Sequence, residues 1–239
     1  MTKIFMAALL AASMLAPAAP AAAQTANPTP RRIVVLGEGE ASVKPDIAIL
    51  SLAVMREAPS AGEALGLNSK AMSDVIAALK AAGVADRDLQ TAGVQINPRY
   101  DYVNKPDGTQ VAKLAAYQVT NTVTVRVRDL AKTGEIIDKA VSLGVNQGGG
   151  VTFTNDNPKA TLTEARKNAV ADAIDKAKTL TEAAGVKLGQ VMEIADVSYA
   201  QPPLPIQAKA FDGAAAEATP VEAGENVYKV QVNVTFALD

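Results

Sequence analysis

This chain of 239 residues has neither histidine nor cysteine, so any chemistry must rest on carboxylates, amides, serine, lysine and tyrosine. Thiol nucleophiles, disulfides, imidazole general bases and His or Cys metal ligands are excluded together. Three groupings remain. Glu38 and Glu40 share one face of a strand, with Asp46 soon after. Paired carboxylates can do acid–base work or hold a cation, but Glu and Asp more commonly make a solvated face. Gly37-Glu38-Gly39 supplies two glycines of a dinucleotide fingerprint, yet Ser42 stands where the third is needed. A turn and a strand follow where that motif requires a helix. The glycines read instead as a bulge or a close backbone approach. Asn155-Asp156-Asn157 offers oxygen donors without EF-hand spacing, and capping of the next helix accounts for it. Gln147–Gly150 lacks the Gly-Lys-Ser/Thr ending of a phosphate loop and reads as a flexible strand entry. Ser–Lys pairs are known catalytic devices, but no motif singles one out. No catalytic, cofactor or metal residue is nominated, and the chain is expected to be non-enzymatic.

The totals agree. Net charge is −2, which disfavours nucleic acid as a partner. Aromatic residues make up 4% and tryptophan is absent, so Val, Ile, Leu and Ala must form the core. Lys3, the apolar run Ile4–Leu15 and the ending Ala21-Ala22-Ala23 have the layout of a secretory leader. The run is too short for a spanning helix, which needs about 20 apolar residues. A signal peptide is expected over 1–23, a polar linker over 24–30, and one domain over 31–239. The mature product is expected in the periplasm.

The elements that must position everything else announce themselves by period. Tyr117, Val119, Val123, Val125 and Val127 alternate with polar residues, and Tyr228, Val230, Val232, Val234, Phe236 and Leu238 do the same. A period of two gives each strand a core face and a wet face. The two stretches align without a gap, which points to a duplicated unit. Arg32–Ala41 and Asp46–Arg56 read as strands joined in a hairpin through Lys44-Pro45. Ser60–Ala82 reads as a helix with capping-box spacing (Ser60, Glu63) and an apolar stripe of Leu65, Met72, Val75, Ile76 and Leu79. Leu89–Val103 and the strand from Val111 flank the turn Lys105-Pro106-Asp107-Gly108. They make a long arm with Tyr100 and Tyr102 near its tip, candidates for subunit contacts or for local cross-strand packing. Asp129 is expected to cap a helix over Leu130–Leu143, with Ile136, Ile137 and Ala140 inward. Asn157 is expected to cap the longest helix, with Pro158 at its first position and a ridge of Leu162, Ala165, Ala169, Ala173, Ala177, Leu180 and Ala184. Val191–Val197 is a strand. Ser198–Glu225 is Pro-containing and aperiodic, a loop long enough to be functional or disordered.

The fold class that follows is α+β: duplicated βαββ units, pseudo-repeats at about 46–128 and 150–239, with antiparallel or mixed sheets carrying helices on one face. The order of four pieces resembles the SIMPL-domain family, including its periplasmic, immunogenic 26-kDa-type members. They are Val34–Gly39 with Pro45-Asp46; Asp88–Thr91 leading to Asn97–Tyr102; the alanine-rich helix with Glu164-Ala165-Arg166 and Asp172-Ala173; and Gly185–Gly189. The resemblance implies an envelope protein, assembly into a symmetric ring or channel-like particle, a link to oxidative stress in some members, and no catalytic residues. Its implied partners are further copies of the chain, with peripheral outer-membrane association as an extension. The other expectation is a module for a small apolar ligand or an extended peptide, with Ser198–Glu225 as its lid.

Overall fold

The structure is a computed structural model that describes residues 30–198, 204–206 and 219–239. The expected leader, all but the last residue of the linker, and most of Ser198–Glu225 lie outside the described residues. Among the described residues eleven strands and α-helices follow in order: β1 (Arg32–Val43), β2 (Ile47–Ala58), α1 (Ala61–Ala81), β3 (Leu89–Asn104), β4 (Gln110–Val127), α2 (Thr133–Ser142), β5 (Gln147–Thr154), α3 (Lys159–Ala183), β6 (Leu188–Asp196), β7 (Leu204–Ile206) and β8 (Glu225–Leu238). They build two antiparallel sheets. The first has the order β3-β4-β2-β5; the second runs β1-β8-β6, with the short β7 also on β8. The fold is α+β, with helices packed on antiparallel sheets as the alternating strands require. Both Tyr-led strands sit between two neighbours, β4 in the first sheet and β8 in the second.

Strand pairing departs from expectation at the start. β1 and β2 form no hairpin: β1 lies against β8, from Arg32 opposite Ala237 to Val43 opposite Asn226, while β2 lies between β4 and β5. A tight hairpin needs residues that accept positive φ. Pro45, with φ held near about −65°, occupies the middle of Lys44-Pro45-Asp46, which carries the chain from one sheet to the other. The strand before α3 also crosses over, since β5 pairs with β2. β1 therefore holds, beside β8, the place that β2 holds beside β4.

In the first sheet α1 starts at Ser60, whose hydroxyl accepts the Glu63 N–H at 3.3 Å. It buries Ala64, Asn68, Met72, Val75 and Leu79 over Leu50, Leu52, Val54, Val123 and Val125. Each such aliphatic side chain contributes about 1.5–3 kcal/mol by leaving water. Leu65, expected on this stripe, is exposed, and Asn68 is fully buried. Its amide donates to the Val54 carbonyl at 2.7 Å and the Val119 carbonyl at 2.9 Å, bridging the helix to two strands. α2 covers the β2–β5 side with Ile136 and Ala140. Asp129 provides no side-chain cap; a 3-10 turn at Leu130–Lys132 leads into the helix instead.

In the second sheet α3 presents Ala165, Ala169, Ala173 and Ala177, all fully buried, to Val35, Val230, Val232, Val234 and Phe236. Leu180 and Ala184 face solvent, and Thr181 takes the inward place with its hydroxyl on the Ala177 carbonyl at 2.9 Å. The contact is close because β1 offers Gly37 and Gly39. A Cβ on Gly37 would lie 2.0 Å from the Ala169 carbonyl oxygen, and one on Gly39 2.2 Å from that of Ala165. The paired glycines serve helix–strand contact, as their strand context implied. α3 begins at Lys159, after Pro158, and Asn157 Oδ1 accepts the Lys159 N–H at 3.3 Å.

Candidate functional site

The groups singled out for chemistry are dispersed into separate contacts. Glu40 pairs with Lys229, Glu38 accepts from the Gln231 amide at 2.8 Å, and Asp46 accepts the Asp156 N–H at 2.8 Å. No acid–base pair results. Asn155 binds the two sheets together. It donates to the Lys44 carbonyl at 2.7 Å and accepts from Asn226 at 3.0 Å and the Tyr228 hydroxyl at 3.1 Å. Next to it, Asp88 is nearly buried and receives two bonds from Arg128, both 2.9 Å; Arg128 also reaches Asp156 at 2.8 Å. These bonds hold the Asp88 carboxyl below its ordinary pKa, Arg128 first, against the opposing effect of burial. A small cavity of about 190 Å³ opens beside this network, and its arginines are committed to carboxylates. The arrangement holds the crossover in place. Among the described residues no group of three or more carboxylates could hold a metal ion.

Two apolar features lack a packing partner among the described residues. The first is the arm. β3 and β4 run together as far as Asn104 opposite Gln110, well past the end of β2 at Ala58 opposite Tyr117. Val94 lies opposite Asn121 and Ile96 opposite Val119, on the face that α1 covers over β2 and β4. After a bulge that face continues through Tyr100 and Tyr102, opposite Leu114 and Ala112. α1 does not reach this far. Val94, Ile96 and Leu114 are exposed, and Tyr100 and Tyr102 keep 49% and 68% of their surface in water. The second sheet repeats the pattern. Val191 pairs with Phe236 and Ile194 with Val234, yet Ile194 is 54% exposed because α3 lies over β1 and β8.

The second feature is a cavity of about 450 Å³ between α2 and the β2–β5 ladder. Leu50, Leu52, Ile137, Val141, Val145 and Val151 line it, together with Ser51, Asn146 and Gln147, and no charged residue contributes. A register shift between Leu50 and Leu52 opens it, at Gly148 with φ +136°. A Cβ there would sit 2.5 Å from the Ser51 carbonyl oxygen. β5 is the edge strand, so the cavity lies at the rim of the first sheet. Next to it Asp138 of α2 receives the N–H of Thr219 at 3.0 Å, where the chain returns toward β8. The sequence places Tyr100 and Tyr102 in exposed positions through arm length and turn chemistry. It did not give the cavity, because a bulge and a helix offset make it; the one local sign was Val141, apolar on the outer side of a short helix.

Comparison with known proteins places the chain in a wider group. A family model described as SIMPL, protein of unknown function (DUF541), matches residues 33–236. The chain is 49% identical over 213 residues to the 26 kDa periplasmic immunogenic protein of Brucella melitensis, covering 87% of this chain and 85% of that one. It is 32% identical over 227 residues to the uncharacterized protein YggE of Escherichia coli K12, covering 91% and 88%. The YggE protein of Edwardsiella ictaluri is 29% identical over 188 residues, covering 78% and 77%.

Proposed function

The chain belongs to the SIMPL family, and from that premise we propose that it is a non-enzymatic envelope protein that assembles with copies of itself into a closed, symmetric oligomer. The supporting observation is the arm. An apolar stripe from Val94 to Tyr102 runs along a projecting hairpin, on the face its own helix leaves bare. Contiguous exposed apolar surface of this kind marks interaction sites, and aromatic residues are enriched at them. The compartment is the periplasm: the leader-like start and the Brucella relative's name agree on it. No helix among the described residues is long and apolar enough to cross a membrane. Sedimentation velocity on the chain lacking residues 1–23 tests the assembly. A single species of several subunits is expected, and monomer alone at micromolar concentration ends the proposal. The link to oxidative stress rests on the family resemblance only. Unchanged peroxide survival in a strain lacking the protein would remove it.

The cavity between α2 and β5 favours a second reading, a module for a small apolar ligand or an extended peptide laid against β5. Its size falls within the usual range of ligand pockets, roughly 300–1,000 Å³. Saturable enhancement of the emission of an apolar fluorescent probe, lost in Val141→Lys, is the expected outcome of that reading.

A further inference from the structure

The arm and the cavity complement each other, and one molecule cannot use its own pair for both ends of an assembly. We propose that Tyr100 and Tyr102 of one copy seat in the cavity between α2 and β5 of the next copy, a head-to-tail contact. The inference rests on the assembly reading above and names its partner surface.

Four observations carry it. First, shape: the arm is a convex projection led by two tyrosines, and the cavity is a concave apolar recess of about 450 Å³. Interface anchors are typically aromatic side chains filling such recesses. Second, charge: the tyrosine face carries Tyr100, Tyr102, Ala112 and Leu114, with no ionisable group besides the tyrosines themselves. The neighbouring Arg99 is already paired with Asp101 at 2.7 Å and Glu57 at 3.3 Å. The cavity lining is uncharged as well, so docking strands no charge away from water. Third, polar chemistry: a buried tyrosine hydroxyl needs a partner, and Ser51 and Gln147 in the lining can supply one. Fourth, position: the arm extends from the β3–β4 side of the first sheet and the cavity lies at its β5 edge. Two different patches on one subunit make a heterologous contact, which closes into a ring when the rotation permits.

Area supports a ring over a simple pair. A tyrosine buries roughly 150–250 Å² when fully covered, so two half-exposed tyrosines and Leu114 give a few hundred Å². A standard interface buries roughly 800 Å² per partner. Each contact is therefore small for a lone pair, whereas a ring subunit gives one arm and receives another and so is held by two such contacts. The competing surface, the bare stripe of β6, is the flank of a sheet strand.

The absence of native cysteine makes a clean test available. Tyr102→Cys and Val141→Cys are placed in one chain, both positions being exposed in the subunit, and the protein is oxidised mildly. Most of the chain should migrate as a ladder of disulfide-linked multimers on a non-reducing gel. Each single variant should stay uncrosslinked, and a mixture of the two should stop at dimers. A normal oligomer by sedimentation with no ladder overturns this contact and leaves the assembly standing. Dimers from Tyr102→Cys alone mean arm meets arm, and dimers from Val141→Cys alone mean cavity meets cavity; either overturns it. Loss of the oligomer in unmodified protein removes the assembly reading and this inference together. Val141→Lys supplies a second arm without a disulfide. It should return the protein to monomer with an unchanged far-ultraviolet circular dichroism spectrum, and an intact oligomer counts against the contact.

Discussion

The two sheets solve one packing problem in opposite ways. Under α1 the strands supply bulk: Val54 stands opposite Asn121 on β4, and Met72, Val75 and Leu79 meet it from the helix. Under α3 the matching position supplies no side chain: Gly37 stands opposite Val232 on β8, four residues past Tyr228 just as Asn121 is four past Tyr117. Val54 and Gly37 therefore hold matching places. The alanine ridge lets α3 descend until its carbonyls touch the strand backbone. From there its polar side chains reach the free edge of β1. Asp172 accepts the Glu38 N–H at 2.8 Å, Asn168 donates to the Glu40 carbonyl at 2.9 Å, and Lys176 donates to the Leu36 carbonyl at 3.1 Å. Unpaired strand edges invite association, and this one is closed from within. The difference teaches that close packing here also protects an edge, while the bulkier packing of α1 leaves β3 uncovered and available.

The strongest way to break the comparison is to make the second sheet like the first. Gly37→Val places a side chain where the Ala169 carbonyl already sits, so a loss of about 3 kcal/mol or more is expected in urea unfolding. Next, Leu79→Ala removes bulk from the fully buried α1 side and should cost about 2–5 kcal/mol by the same measurement. If Gly37→Val costs less than about 1 kcal/mol, the close-approach account fails.

The third prediction concerns pH. Arg128 lowers the Asp88 carboxyl pKa on folding, so the folded state binds that proton less readily than the unfolded chain. The stabilisation is present above the ordinary carboxylate pKa of about 4 and is lost as pH falls through the lowered folded value. Asp88→Asn should lower the melting temperature by a few degrees at pH 7. The gap to the native protein should narrow steadily below pH 4, because only the native protein then loses the interaction. A gap that is flat across pH 3–7 would assign the effect to packing. Smallest of all, Tyr102→Ser should change subunit stability by less than about 0.5 kcal/mol, since the side chain is mostly in water. Its effect belongs to the sedimentation profile, and a large stability loss would show that the arm folds against its own subunit.

Much of the fold was legible because its strands alternate strictly and its helices carry stop signals at Gly83 and Gly185, both with positive φ. The failures cluster where two elements must choose a partner. The β1–β2 hairpin followed from the usual adjacency of consecutive strands. It gave way because Pro45 holds a negative φ where a tight hairpin needs a positive one, and because Gly37 and Gly39 give β1 its close contact with α3. Leu65 and Leu180 were assigned inward by type, and each lost its place to a neighbouring polar residue that finds a backbone carbonyl, Asn68 and Thr181. Periodicity ranks side chains by greasiness and cannot see such bonds. The cavity was invisible for a similar reason: its residues come from β2, α2 and β5, and a register shift holds them apart.

Composition and spacing alone determined that thiol and imidazole chemistry is missing, and they determined the two valine-rich central strands, the alanine face of α3 and the projecting tyrosine arm, because these depend on residue type and short-range period. Which strand lies beside which, how near a helix comes, and where an apolar face stays bare were decided only in three dimensions. Those outcomes depend on volumes and hydrogen bonds between residues as far apart as Gly37 and Ala169, which no local pattern encodes.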